Sequence, residues 1–235
     1  MPVGGALGLK GWLQMADAGT PLHPLRPVLE QITPTCCPGR VNFHCHTTFS
    51  DGSLSPDQLA QRALELGLEH LAITDHHSIA AHAPVASLFR AIADSGGPVP
   101  RFWRGVEISC LLEGCLVHVL ALGFGEDHPS LEPYLQGHAA VGPALRAEAV
   151  LRAGQQAGAL MLLAHPARYR IPFKWLISAA DQLGFDGAEA WYDYEQNDNW
   201  TPTPIVCEAI ADELRERGLL MSCGTDTHGL TLHGR

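Results

Sequence analysis

The stretch "FHCHTTFSDG", residues 43–52, sets two histidines one residue apart and an aspartate five residues after the second. Along an extended strand every second side chain points to the same face. His44 and His46 therefore share a face, and Asp51 follows in the turn after them. Three candidate metal ligands in so short a span raise a specific expectation. The other histidines and carboxylates of the chain should be placed to meet them.

Working outward, "VNFHCH" (41–46), "HLAITDH" (70–76), "RFWRGVEIS" (101–109), "CLVHVLALGF" (115–124), "ALMLLAHP" (159–166), "GAEAWY" (187–192) and "LLMSCGTD" (219–226) read as seven strands. Helical patterns lie between most of them. In "SPDQLAQRALELG" (55–67) Ser55 is a candidate N-cap, Pro56 takes the first helical position and Gly67 ends the helix. Leu59, Ala63 and Leu66 fall on one face of it. Further helices are expected at 83–97, at roughly 129–157 (divided by Gly142 and Pro143), at 173–184 and at 204–218, and a tight "LLEG" turn joins the third and fourth strands. That alternation predicts an α/β fold, a parallel sheet or barrel, in one domain spanning 41–235. Residues 1–40 contain Gly, Pro, the adjacent Cys36 and Cys37 and little periodicity. They read as an N-terminal extension of unassigned role, with a short helix in "TPLHPLRPVLEQI" (20–32).

Composition narrows the partners. A chain of 235 residues with 46% hydrophobic and 17% charged residues is expected to be soluble and globular, and it has no apolar run of 18 residues to span a membrane. Its first residues lack a basic segment followed by an apolar one, so no secretory signal is expected. The seven cysteines show no C-x-x-C spacing, and several lie in apolar runs, which points to a reduced, cytoplasmic protein. A net charge of −10 with 15 Lys and Arg argues against tight binding to a long nucleic-acid duplex, which uses many basic contacts. A small anionic substrate stays compatible if metal ions supply the positive charge.

Set against the strands, the polar residues recur near one rim. His76 closes the second strand, Glu107 the third, His118 lies in the fourth, His165 closes the fifth, and Asp226 and His228 follow the last. Barrel enzymes collect catalytic groups at such strand ends. His23, His70, His82, His128, His138 and His233 lie in loops or polar helical stretches without that recurrence and read as structural. Nine ligand candidates are too many for one ion but suit two or three.

"HCHTTFSDG", "ITDHHS", "GVEIS", "VHVLALGF", "LLAHPARY" and "GTDTHG" together resemble the ordered motifs of the PHP (polymerase and histidinol phosphatase) family over about 41–230, closest to its phosphoesterases of nucleoside bisphosphates and RNA 5′ ends. Matched by motif, the resemblance implies His44, His46, Asp51, His76, Glu107, His118, His165, Asp226 and His228 as metal ligands. It also implies a distorted seven-stranded (β/α) barrel and two or three divalent ions, Mn, Fe or Zn. A water held between two such ions would lose its proton readily and act as nucleophile, with no Ser, Cys or Thr needed. Arg168, three residues past His165, is expected to contact the substrate phosphate. Asp75 is expected either to orient a ligand histidine or to cap a strand end. No base-binding role is assigned to Tyr169, Trp191 or Tyr192. Only 46 residues (119–164) separate His118 from His165, so an inserted subdomain is not expected, and the resemblance implies an element beyond the seven residues that follow His228. The expected substrate is a nucleoside 3′,5′-bisphosphate or a short oligonucleotide end. The alternatives are a phosphorylated metabolite such as histidinol phosphate, or a metal-stabilised binding module without turnover.

Overall fold

The computed structural model describes residues 22–126, 128–197 and 199–234. Its strands form one sheet in chain order: β1 (Val41–Asn42), β2 (His70–Ile73), β3 (Arg101–Leu112), β4 (Cys115–Leu122), β5 (Leu160–Leu163), β6 (Gly187–Trp191) and β7 (Leu220–Cys223). The sheet is mixed rather than wholly parallel. β4 runs antiparallel to both β3 and β5, and the other neighbours are parallel. The cause is local. Glu113 and Gly114, at φ 51° and 73°, make a two-residue hairpin turn whose positive dihedrals match the strand twist and reverse the chain.

β1 and β7 stand at the two ends of this order and share no ladder, so the closed barrel expected from the sequence is not reached by strand pairing. Single backbone bonds join the segments that follow them. Phe43 N–H donates to Cys223 O (3.1 Å), Asp226 N–H to His44 O (2.8 Å) and His46 N–H to Thr227 O (3.2 Å). This brings the end of the chain against "FHCH". Gly224 is required there, because a β-carbon would collide with the backbone and Cβ of His44.

Helix α2 (Pro56–Leu66) starts and stops where expected. Ser55 and Gln58 form a reciprocal capping box, an arrangement worth about 1 kcal/mol, and Gly67 closes the helix in the left-handed conformation. Leu59, Ala60 and Ala63 are buried in a cluster with Val85 and Phe89 of α3 (His82–Asp94) and with Leu71 and Ile73 of β2. Leu66 is only half-buried. α5 (Phe173–Leu183) and α6 (Pro204–Arg217) also lie in the expected stretches. The long helix expected at 129–157 does not form. Two 3₁₀ turns, Pro129–Tyr134 and Gly142–Leu145, precede a ten-residue α4 (Ala147–Gln156). Prolines 129, 133 and 143 remove helix donors, and Gly137 and Gly142 adopt positive φ, so the α-helix starts only after them.

Residues 1–21 of the expected extension lie outside the described residues. The remainder is part of the main core: Leu25 and Leu29, flanking or within the short α1 (Arg26–Leu29), are buried with Ile32, Cys36 and Cys37 against Val41, Phe43 and Cys223. All seven cysteines are free. Among the described residues no helix is long and apolar enough to cross a membrane.

Candidate metal centre

The nine candidate residues converge. β1 pairs as a strand only at Val41–Asn42, yet the alternation persists beyond it: Phe43 and Cys45 enter the core while the His44 and His46 rings meet 5.2 Å apart on the other face. Glu107 lies inside β3 rather than at its end, because β3 continues to Leu112, and it bridges to His76, three residues past β2. His165 and Asp226 follow β5 and β7 in positive-φ conformations (28° and 49°) that non-glycine residues seldom adopt, a form of strain found at functional sites.

Glu107 organises the cluster with its two oxygens. Oε2 is 3.0 Å from His44 Nε2, 3.1 Å from His46 Nε2 and 3.5 Å from His76 Nε2. Oε1 is 2.9 Å from His118 Nδ1 and 3.2 Å from His165 Nε2. Asp226 Oδ1 is 3.3 Å from His44 Nε2 and 3.1 Å from His46 Nε2. Asp51 Oδ2 is 3.2 Å from His228 Nε2 and 3.7 Å from His76 Nε2. Three overlapping groups result: His44–His46–Glu107–Asp226, His46–Asp51–His76–His228 and His76–Glu107–His118, each with ligand atoms within 4.8 Å of one another. The first is fully buried and the second is open on the Asp51 side. His165 approaches Glu107 but completes none of the three.

These separations suit a cation. Ligand atoms about 2.1 Å from an ion stand about 3.0 Å apart in an octahedron and about 3.4 Å apart in a tetrahedron. Hydrogen positions point the same way. His44 Nδ1 lies 3.1 and 3.2 Å from the two oxygens of Glu189 and so carries the hydrogen, which leaves a lone pair on Nε2 facing Glu107 and Asp226. His228 Nδ1 likewise donates to Asp226 O (2.7 Å), leaving its Nε2 lone pair facing Asp51. Only a proton or a metal ion relieves a lone pair aimed at carboxylates.

Without metal, protons take that place. Burial alone would depress His46, but its bonds to Asp226 and Glu107 hold it at about 9. Burial also opposes the charge on His44, yet the carboxylates of Glu107, Glu189 and Asp226 raise it well above the usual range. Those imidazolium charges in turn hold Glu107 and Asp226 well below theirs, against their own burial. His76 goes the other way: burial lowers it to about 4, so it is neutral near pH 7.

Around this cluster three groups act as supports. Tyr192 Oη donates to Asp226 Oδ2 (2.6 Å), and Arg168 Nη1 donates to the same oxygen (3.0 Å). Arg168 thus sits at the rim, one-third exposed and tied to a ligand candidate. Among the described residues the Asp75 side chain makes no hydrogen bond or ion pair with His76 or His46. Its oxygens accept from Thr47 N–H (2.6 Å), Thr47 Oγ1 (2.7 Å) and Ser50 Oγ (2.8 Å), which anchors the turn that carries Asp51. Sequence reasoning missed Glu189, whose only signal was a glutamate inside the apolar run "GAEAWY". Among histidines outside the centre, His23 and His82 bond backbone carbonyls, as structural residues do.

The chain is 36% identical over 104 residues to a 5′-3′ exoribonuclease of Haemophilus influenzae, covering 43% of this chain and 35% of that protein. It is 38% identical over 94 residues to the 5′-3′ exoribonuclease Rnm of Escherichia coli (40% and 31%). It is 34% identical over 91 residues to a 3′,5′-nucleoside bisphosphate phosphatase of Chromobacterium violaceum (39% and 30%). The matched segment spans about a third of each relative. Two solved structures share the fold: an amidohydrolase from Chromobacterium violaceum (TM-score 0.65, 21% identity, 81% of this chain and 88% of that one) and a metal-dependent phosphoesterase, so described as a putative assignment, from Bifidobacterium adolescentis (0.64, 20%, 83% and 88%). The family model of the PHP domain matches residues 42–195, which begin one residue before "FHCH" and include seven of the nine clustered ligand candidates, from His44 to His165, and the chain belongs to the PHP domain family.

Proposed function

We propose that this chain is a metal-dependent phosphoesterase acting on a nucleoside 3′,5′-bisphosphate or on a short oligonucleotide end. The observation that carries the proposal is the division of five imidazoles between the two oxygens of Glu107, an arrangement suited to a carboxylate shared between ions. The mixed imidazole and carboxylate donors suit Mn, Fe or Zn, with His44, His46, Asp51, His76, Glu107, His118, His165, Asp226 and His228 as ligands to two or three ions. When bound, such ions polarise a phosphoryl oxygen and make water acidic enough to attack phosphorus near neutral pH.

The chain's own residues supply the rest. Buried His44, His46, Glu107 and Asp226 form a rigid floor that excludes solvent. The half-exposed side of Asp51, His76 and His228 is where a phosphoryl group enters. Arg168, held in place by Asp226 and Tyr192, presents a guanidinium at that rim, a planar donor suited to phosphate oxygens. Residues 41–235, with the packed segment 22–40, act as one catalytic unit in a reduced, cytoplasmic setting, a reading supported by the seven free cysteines. The names of the relatives favour nucleotide substrates. None of the nine motif positions is substituted, which weighs against a binding module without turnover.

A substrate panel tests this. The Mn²⁺-loaded protein should cleave a nucleoside 3′,5′-bisphosphate or a 5′-phosphorylated trinucleotide with kcat/KM at least about tenfold above that for histidinol phosphate, a difference of about 1.4 kcal/mol. The reverse order would favour the metabolite reading. No phosphate or nucleotide release from any of them would defeat the phosphoesterase reading.

A further inference from the structure

Glu189 is fully buried in β6, and among the described residues no lysine or arginine pairs with it. Burying a carboxylate is costly unless it is paired and hydrogen-bonded, so its partners in the core matter. Both oxygens face His44 Nδ1 at 3.1 and 3.2 Å, and Oε2 also accepts the backbone N–H of His165 at 2.9 Å. His44 follows β1, His165 follows β5, and these strands are not neighbours in the sheet. One carboxylate therefore ties together two ligand candidates that strand pairing leaves independent, one of them on a left-handed backbone turn.

We propose that Glu189 is a positioning residue of the metal centre: it fixes His44 as the Nδ1–H tautomer, aims its Nε2 at the place shared with His46, Glu107 and Asp226, and holds the turn that presents His165. The inference rests on the metal-centre reading above. A carboxylate on the far nitrogen of a ligating imidazole sets its tautomer and strengthens it as a donor. His44 is thus the positive partner of Glu189 in the metal-free protein, and bound ions would supply that charge through the same ring.

Glu189→Gln keeps the size of the side chain but carries no charge, and it offers one acceptor oxygen where two donors converge. In competition with a chelator, the variant should bind one Zn²⁺ about 10–100-fold more weakly than the wild type, and Glu189→Asp should recover part of the loss. Nitrogen-15 NMR of the Zn²⁺-loaded wild type should show His44 carrying a slowly exchanging hydrogen on Nδ1, with that signal lost or shifted in Glu189→Gln. A lower melting temperature with unchanged Zn²⁺ affinity would mean that Glu189 only stabilises the fold, and would overturn the inference. If the variant does not fold, the wild-type spectrum still decides: a hydrogen on His44 Nε2 overturns the proposal. A wild type that takes up no ion would overturn the metal-centre reading as well, whereas equal loading of both proteins overturns this inference alone.

Discussion

Replacing Glu107 by glutamine is expected to lower kcat/KM for phosphoester hydrolysis by at least about 10³-fold, a loss of about 4 kcal/mol of transition-state stabilisation. Its two oxygens meet five of the candidate ligands, His44, His46, His76, His118 and His165. Glutamine keeps the volume, so the buried site stays filled. It replaces one anionic oxygen by an amide nitrogen that repels a cation, and leaves a neutral oxygen in place of the other. Elemental analysis should therefore show fewer ions per chain, along with the lost rate. Full metal content with activity within about tenfold of the wild type would mean that Glu107 is not the shared ligand.

The second large effect is the cost of acid to metal loading. In the metal-free protein His46 is held at about 9 by Asp226 and Glu107, against the pull of its burial, and His44 is also raised. A cation must displace those protons. Well below pH 9 each unit of acid then weakens binding about tenfold for the His46 proton alone, or about 160-fold between pH 9 and pH 6.5. His44 adds to this in the same direction. Titration calorimetry at pH 7 in buffers of different ionisation enthalpy should register proton release on loading, falling as the pH passes 9. Binding that is independent of pH from 6.5 to 9 would contradict the arrangement. The same shift has a stability sign. Through His46 alone the metal-free fold is fully stabilised below pH 6.5, and it loses that share as the pH rises through about 9.

The centre was legible because its chemistry resides in residue types that rarely recur at one rim by chance. Two-residue alternation placed His44 and His46 together, and it did so even though only Val41 and Asn42 pair as a strand. What stayed hidden depends on contacts between distant segments. Glu189 has no local marker: its partners lie 145 and 24 residues away. Asp75 stands next to His76 in sequence but bonds Thr47 and Ser50, 28 and 25 residues away.

The fold was read with a similar division. Capping residues fixed α2 at both ends, since caps act within four residues of the helix terminus. Between Pro129 and Arg146 the apolar pattern suggested a helix, but the prolines and positive-φ glycines there outweigh it. The direction of β4 followed from the two-residue turn at Glu113–Gly114, a stronger constraint than the overall alternation of strands and helices. The packing of Leu25, Leu29, Cys36 and Cys37 could not be read from a segment without periodicity.

The stretch "FHCHTTFSDG" is read above as the start of a shared metal cage. That reading is tested most directly by elemental analysis of protein purified without chelator and reloaded with Mn²⁺ at pH 8 under reducing conditions. Two or three ions per chain are expected, falling in His46→Ala, because His46 belongs to two of the three ligand groups. A folded wild-type protein that holds no ion would contradict it.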